Sequence, residues 1–226
     1  MKIILWSIFL LAVAVVMANS IRIANAQGSP FWDNLLDKYR DDARVRQVIF
    51  VQYLGGSDAQ VLLYAKGKAP KSDWTLLRSC DGYVGKNGIN KEREGDLKTP
   101  AGEYDIFSAV GIEANPGTKA DYILLDEHIY CADGPYYNRL LDDRDVPLDE
   151  IMKYNGDPMN DGSPQFDYGL FIAYNKERKP GKGSQIYLHC FGTNPYTMGC
   201  VAVSREDMKY ILQNVDNNVK ICIFPK

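Results

Sequence analysis

Hydrophobic positions along most of the chain fall in short runs of β-forming residues that are separated by polar, turn-forming segments. The runs with this pattern, rich in β-branched and aromatic residues, are 47–54, 60–66, 74–80, 102–107, 122–125, 168–174, 185–190, 201–203 and 219–224. Segments 55–58 and 67–72 have turn compositions and separate the first three runs. The pattern therefore predicts an antiparallel meander over residues 47–80, followed by further strands.

Two segments have the spacing of amphipathic helices instead. Residues 30–45 begin with a proline and carry apolar side chains at helical intervals, which predicts one short helix. Residues 204–214 predict a second helix, because Ser204 is a suitable N-cap and acidic residues occupy the first turn.

The predicted fold class is mainly β with a few helices, in a β-sandwich or barrel with a long loop insertion. The insertion covers residues 111–167, which are rich in Asp, Asn, Gly, Pro and Tyr and show little periodicity. It is long for a simple connection, so a lid or substrate-binding segment is expected, with a solvated decoration as the alternative. The hydrophobic fraction of 46% and charged fraction of 24% are typical of a folded domain.

The start of the chain has the composition of a targeting signal. Lys2 precedes an apolar run of 16 residues over positions 3–18, and Ala24-Asn25-Ala26 supplies a small-x-small cleavage site. The run is shorter than the ~20 residues that span a bilayer, so a signal peptide over residues 1–26 is favoured over an uncleaved anchor. We therefore expect export to the periplasm, cell envelope or extracellular space, without a stable membrane span after cleavage.

Net charge limits the possible partners. The formal net charge is −3 and the pI is near 5.5, so the chain has no basic field for a nucleic-acid backbone. Nucleic acid is therefore not an expected partner.

His189 and Cys200 form the candidate catalytic pair. His189 ends an apolar strand, and Cys200 follows Gly199 eleven residues later, just before another short strand. An adjacent imidazole that accepts a proton makes a thiol nucleophilic at neutral pH. The backbone N–H groups of Gly199 and Cys200 are candidates for an oxyanion site. Strand alternation places Cys190 on the face opposite His189, where it is a poorer nucleophile.

Two other interpretations of these residues stay open. A packed histidine beside a structural thiol has the same sequence pattern. A zinc site built from His189, Cys190 and Cys200 is less favoured, because strand alternation separates the first two side chains. No metal site is therefore expected.

Several motifs occur in a defined order around this pair. They are Gly95-Asp96, Thr99-Pro100-x-Gly102, the strand that ends in His189, and Thr197-x-Gly199-Cys200. In these motifs the stretch from Tyr83 to Phe224 resembles a divergent branch of the L,D-transpeptidase catalytic-domain (YkuD-like) family of exported peptidoglycan enzymes. The resemblance suggests a catalytic domain over 83–226, with an N-terminal helix and β-meander over 27–82 packed on it.

The resemblance implies an acyl-transfer reaction without a metal or organic cofactor. Cys200 would be the nucleophile and His189 its base, acting on the L,D bond of a peptidoglycan stem tetrapeptide. The acyl-enzyme would release D-Ala and transfer the acyl group to an amine. An L,D-carboxypeptidase or amidase that uses water as the acceptor is the alternative, and a catalytically inactive wall-binding module is the second alternative.

Two residues depart from the family pattern, and others are candidates for substrate contact. Met198 stands where the family has a histidine, and Ala202 stands where an arginine or asparagine is common, so carboxylate recognition does not carry over directly. Fewer polar anchors beside Cys200 favour water as the acceptor, whereas the family favours an amine. Candidate substrate-binding residues are Thr197, Tyr122, Tyr137, Asn138, Lys182 and Arg205.

The chain has an odd number of cysteines, five, which leaves at least one unpaired in an oxidising compartment. If Cys200 is the free nucleophile, at least one disulfide is expected among the remaining four, Cys80, Cys131, Cys190 and Cys222.

Overall fold

The computed structural model describes residues 30–69 and 72–225. The predicted signal peptide at 1–26 lies outside the described residues. Strands account for 37% and helices for 15% of the protein, which confirms the mainly β fold class. No helix in the described part of the chain combines the length and the apolar character needed to cross a membrane.

The elements are numbered in chain order. The strands are β1 (Gln47–Gly55), β2 (Asp58–Lys66), β3 (Trp74–Tyr83), β4 (Gly102–Tyr104), β5 (Ile106–Gly111), β6 (Tyr122–Leu124), β7 (Ile129–Cys131), β8 (Leu141–Asp142), β9 (Asp157–Pro158), β10 (Gly169–Ile172), β11 (Tyr187–Cys190), β12 (Val201–Val203) and β13 (Lys220–Pro225). The helices are α1 (Pro30–Lys38), α2 (Leu148–Met152) and α3 (Arg205–Gln213), with short 3-10 helices at Gly134–Tyr136 and Pro164–Phe166.

Ten strands form one mixed sheet in the order β4-β13-β1-β2-β3-β12-β11-β10-β5-β6. Strands β1, β2 and β3 pair antiparallel, which confirms the predicted meander. The strand β3 also pairs with β12. The meander therefore belongs to the same sheet as β11, which carries His189, and β12, which precedes α3.

The main core lies on one face of this sheet. Apolar side chains from β1, β2 and β13 share one cluster with side chains from β5, β10, β11 and β12, and three residues of α3 complete it. These strands are successive neighbours in the sheet, so their side chains on one face form a continuous apolar surface that contacts α3. The hydrophobic area removed from water in this cluster is the main driving force for the fold.

The helix α1 covers the outer face of the meander. Trp32, Leu35 and Leu36 pack against Val48 and Phe50 of β1, so both faces of that strand are buried. The helix ends at Lys38, earlier than the predicted 45.

A buried lysine closes the C-terminal end of α1. The Lys66 ammonium donates hydrogen bonds to the carbonyls of Tyr39, Arg40 and Asp42, at 2.8 Å for Arg40 and 2.9 Å for Asp42. These carbonyls follow the last helical turn, and among them only that of Tyr39 also accepts a backbone N–H, from Asp42 at 3.3 Å. The ammonium therefore satisfies them and fixes the turn into β1.

The insertion covers the other outer face. It contains β6, the small sheet β8-β7-β9 and α2, and its apolar residues pack on Phe171 of β10 and Tyr187 of β11. All four of these strands have only two or three residues, which explains the weak periodicity of the sequence. The insertion therefore encloses the outer face of the strand that carries His189.

Candidate active site

Strand pairing brings His189 and Cys200 to one face of the sheet. The strands β11 and β12 run parallel, and His189 pairs with Ala202. Cys200 lies two positions before Ala202, so its side chain projects from the same face as His189, in a diagonal position. Leu188 and Cys190 alternate to the opposite face and contribute to the main core. The prediction that Cys190 faces the core is confirmed.

The two side chains line a cavity of about 320 Å³. The loop after β11 and the 3-10 helix Pro164–Phe166 form its walls. Its lining residues are Gln165, Phe166, His189, Gly192, Thr193, Asn194, Tyr196, Thr197, Met198, Cys200 and Ala202. None of these lining residues is an Asp, Glu, Lys or Arg. Met198, 68% exposed, supplies an apolar surface at the cavity.

His189 is held as a neutral imidazole with one defined tautomer. Its Nδ1 lies 2.7 Å from the carbonyl oxygen of Cys190, which can only accept a hydrogen bond, so Nδ1 carries the proton. Nε2 is therefore the basic nitrogen. Burial lowers the pKa of His189 to about 4, although the bond to the Cys190 carbonyl opposes the shift. The ring packs against Phe166, with 5.4 Å between the centroids.

Burial favours the protonated form of the Cys200 thiol. Burial raises its pKa to about 11, against the effect of the Tyr187 N–H, which donates to Sγ at 3.3 Å. The thiol donates to the carbonyl of Gln185 at 3.4 Å. Within the described residues, Sγ and the His189 imidazole form no direct hydrogen bond. The thiol proton must therefore turn from Gln185 toward Nε2 before it can be transferred.

Two threonine hydroxyls fix the backbone at Cys200. Thr99 Oγ1 and Thr197 Oγ1 both donate to the Cys200 carbonyl, at 2.8 and 2.6 Å. Thr99 Oγ1 also accepts the Gly85 N–H at 2.8 Å, and Thr197 Oγ1 accepts the Gly199 N–H at 3.1 Å. The Gly199 N–H, predicted as an oxyanion donor, is therefore engaged. The Cys200 N–H has no partner among the described residues and remains available.

The loop that carries Thr99 is organised by Asp96. One carboxylate oxygen accepts from the Lys91 ammonium at 2.8 Å and from the Lys98 N–H, and the other accepts from the N–H groups of Glu92 and Arg93. Burial opposes ionisation, but these hydrogen bonds hold the pKa of Asp96 well below its usual range. The loop therefore keeps the shape that brings Thr99 to Cys200.

Gly199 allows this loop to approach the nucleophile. Its φ is +143°, and a Cβ at this position would lie 3.0 Å from the Lys98 carbonyl oxygen. A side chain here would require both an unusual backbone conformation and a shift of the neighbouring loop.

Three of the predicted substrate-binding residues form structural contacts instead of lining the cavity. The Tyr122 hydroxyl donates to the Glu113 carbonyl at 2.7 Å. Tyr137 is buried, and its hydroxyl donates to the Glu94 carboxylate. Asn138 is 2% exposed and its amide bonds three backbone groups at 2.9 to 3.1 Å. Tyr137 and Asn138 therefore join the insertion to neighbouring loops, whereas the Tyr122 bond lies within the insertion.

The two predicted cationic contacts also lie outside the cavity. Arg205 forms ion pairs with Asp167 and, at 3.1 Å, with Glu113. Lys182 is exposed and lines a separate surface depression beside Tyr174. Of the predicted substrate-binding residues, only Thr197 lines the cavity, and its hydroxyl is engaged in the turn.

The residues that line the cavity were mostly not identified from the sequence. Thr193, Asn194 and Tyr196 lie between His189 and Cys200, so their position in the chain could have indicated them. Gln165 and Phe166 come from the insertion and carry no comparable signal.

The expected disulfide is wrong: all five cysteines are free thiols. Cys80 and Cys190 lie in the main core and Cys222 lies beneath α1. Burial raises the pKa of Cys80 to about 12 and that of Cys190 to about 11, so these thiols stay protonated. Because Cys190 faces away from His189, the three proposed zinc ligands do not converge.

Comparison with known proteins identifies one family. The family model described as the L,D-transpeptidase catalytic domain, YkuD, matches residues 57–223. The match begins ahead of Tyr83, where the sequence resemblance was expected to start, so the division into 27–82 and 83–226 stays a prediction. No curated protein matches the chain.

Proposed function

Because the chain belongs to the L,D-transpeptidase catalytic-domain family of peptidoglycan enzymes, we propose that it is a cysteine acyltransferase acting on the L,D bond of stem peptides. Cys200 is the nucleophile and His189 the base. The observation that carries the proposal is their position on one face of the sheet, at one cavity, with Nε2 of His189 as the basic nitrogen.

The reaction begins with transfer of the thiol proton to Nε2. The Cys200 thiolate attacks the carbonyl carbon of the stem-peptide L,D bond, and the Cys200 N–H is the nearest free donor for the oxyanion. As the tetrahedral intermediate collapses, His189 gives its proton to the leaving amine of D-Ala. A thioester on Cys200 remains. An incoming amine attacks the thioester and regenerates the thiol.

The uncharged cavity supports a second candidate function, an L,D-carboxypeptidase or amidase. No cationic side chain lines the cavity to pair with the terminal carboxylate of a tetrapeptide, and no carboxylate lines it to hold an acceptor ammonium. Water needs neither group. The thioester would then be hydrolysed, and an amide without a neighbouring free carboxylate would be accepted as well as a terminal D-Ala.

A catalytically inactive wall-binding module is the remaining alternative. It predicts that Cys200 carries no acyl group after exposure to substrate. The organisation of the site argues against it, because both threonine hydroxyls hold the Cys200 carbonyl and Asp96 orders the loop that carries Thr99.

We propose that the protein acts in the cell envelope, where its substrate occurs. The signal-like composition of residues 1–26 supports this location. A fusion of residues 1–26 to a reporter that is active only outside the cytoplasm tests export independently of activity.

The decisive experiment incubates the purified protein with stem tetrapeptide, with and without an excess of an amine acceptor, and follows products by mass spectrometry. A crosslinked product supports transpeptidation, and tripeptide alone supports hydrolysis. Cys200→Ala is the matched negative control and His128→Ala the positive one, since His128 lies in the insertion with Asp143 as its partner. No product and no acyl-enzyme in the wild-type protein would contradict both enzyme functions.

A further inference from the structure

Lys91 is a buried cation next to the nucleophile turn. Its side chain is 1% exposed, and that of its partner Asp96 is 8% exposed. Long charged side chains are rarely buried to this extent unless they are paired, and desolvation makes such a pair costly to keep. A neutral residue could fill the same space, so a functional role for the charge of Lys91 is worth testing.

Two glycines make room for this lysine beside Cys200. A Cβ on Gly199 would lie 3.5 Å from Lys91 Nζ, and a Cβ on Gly183 would lie 2.4 Å from Lys91 Cε. The ammonium therefore lies against the backbone of the residue that immediately precedes the nucleophile.

The charge of Lys91 is only partly compensated. An ammonium has three donors, and among the described residues only Asp96 accepts one, at 2.8 Å. The Asp96 carboxylate is shared with three backbone N–H groups, which spread its negative charge. A positive field from Lys91 therefore remains at the Gly199–Cys200 turn.

Few charged groups oppose this field at Cys200. Lys91 lowers the pKa of the thiol and Glu94 raises it, while burial accounts for most of its elevation. The Glu94 carboxylate accepts hydrogen bonds from Tyr137 and Ser184, which partly neutralise it. The His189 imidazole is neutral.

We propose that Lys91 is a positioning residue whose ammonium stabilises the Cys200 thiolate and so favours proton transfer to His189. The proposal rests on Cys200 being the nucleophile of the proposed function. Lys91 contacts neither the substrate cavity nor the imidazole; it acts through the charge that it holds behind the turn.

The test measures the reactivity of Cys200 without any substrate. Iodoacetamide alkylation of the Cys200 peptide is followed by mass spectrometry across pH 6 to 10 in the wild type and in Lys91→Met and Lys91→Arg. At pH values below the pKa of the thiol, we expect Lys91→Met to slow alkylation about tenfold. The reason is that loss of one nearby positive charge raises the pKa of a thiol by about one unit. Lys91→Arg restores most of the rate. Lys153→Met is the control, since that lysine also pairs with a carboxylate but is exposed.

An unchanged alkylation rate and pH profile in folded Lys91→Met would overturn the proposal, even if turnover fell. If Lys91→Met does not fold because Asp96 is left unpaired, the double variant Lys91→Met/Asp96→Asn removes both charges and is measured instead, with the same expected slowing. Because alkylation needs no stem peptide, a failure of the proposed peptidoglycan activity would leave this result interpretable.

Discussion

The Thr99 hydroxyl donates a 2.8 Å hydrogen bond to the carbonyl of Cys200, although 101 positions separate the two residues in the chain. Thr99 is fully buried. This single bond links the loop that Asp96 organises to the turn that presents the thiol. The position of the nucleophile therefore depends on residues far from it in sequence.

Thr99→Val tests this link. The variant leaves the Gly85 N–H without its acceptor and removes one of the two donors to the Cys200 carbonyl. Loss of a buried partner costs about 1–3 kcal/mol, so we expect the free energy of unfolding to fall by about that amount. We also expect kcat to fall about tenfold or more, because the turn loses a restraint. Urea unfolding and product formation measure the two effects.

Thr99→Ser is the matched control, since serine keeps the hydroxyl and removes only a methyl group. It should retain most of the activity. Equal losses of kcat in the serine and valine variants would show that packing, and not the hydroxyl, accounts for the effect.

Cys200→Ala and His189→Asn should each remove turnover while the fold persists. Alanine has no nucleophile. Asparagine can replace Nδ1 as the donor to the Cys190 carbonyl but offers no base, so we expect a loss of about 10²–10⁴-fold. Product formation gives the rates, and circular dichroism checks the fold. Near-wild-type turnover in either variant would contradict the proposed dyad.

Gly199→Ala should reduce both stability and activity. Its φ of +143° is unfavourable for alanine, and the new Cβ would meet the Lys98 carbonyl oxygen at 3.0 Å. Gly117→Ala is a suitable comparison, because its φ is +106° but nothing lies within 4 Å of the added atom. We expect a strain cost of roughly 1–2 kcal/mol in both variants, with an additional loss of kcat only at Gly199. Similar kinetics in the two variants would contradict the close-approach argument.

The buried imidazole predicts a pH dependence of stability. The pKa of His189 is about 4 in the folded protein and near 6.5 in an unfolded chain, so between these values only the unfolded state binds the proton. The neutral imidazole therefore makes its full contribution to the free energy of unfolding above pH 6.5. That contribution, roughly 3 kcal/mol, is lost as the pH falls to 4. We expect His189→Asn to lose correspondingly less stability between pH 7.5 and 4.5 in urea unfolding. Equal losses in variant and wild type would exclude a buried neutral imidazole.

The thiols should react in a defined order. Cys80, Cys190 and Cys222 are buried away from solvent, so they should react with a thiol reagent only on unfolding. Cys200 and Cys131 are half-buried and should react in the native state. Cys200→Ala should then remove one native-state equivalent. Five equivalents in denaturant are expected; fewer would indicate a disulfide.

The main features of the site could be predicted because they follow from local rules. A two-residue period decides which face His189 and Cys190 occupy, and a glycine before Cys200 permits a tight turn into the next strand. The first helix and the meander follow from the same periodicities. These rules need only neighbouring residues, so one sequence suffices.

The features of the site that could not be predicted depend on contacts between segments that are distant in the chain. Tyr137 and Asn138 have side chains that often bind ligands. A phenol or an amide binds a backbone group as readily as a substrate, however, and both side chains join loops in this structure. The ion pairs of Arg205 likewise occupy a side chain expected to bind a carboxylate. Which partner a polar group meets is decided by the fold, and periodicity does not reveal it.

The position of β13 within the main sheet affects how the protein reaches this structure. That strand lies between β1 and β4, and its register pairs Val48 with Lys220. The meander can form from local contacts, but its outer edge stays open until residues from near the far end of the chain arrive. Closing so long a loop is slow, because its entropy is lost before the new contacts compensate. Folding of the sheet should therefore finish late, only after residues 220–225 have been synthesised.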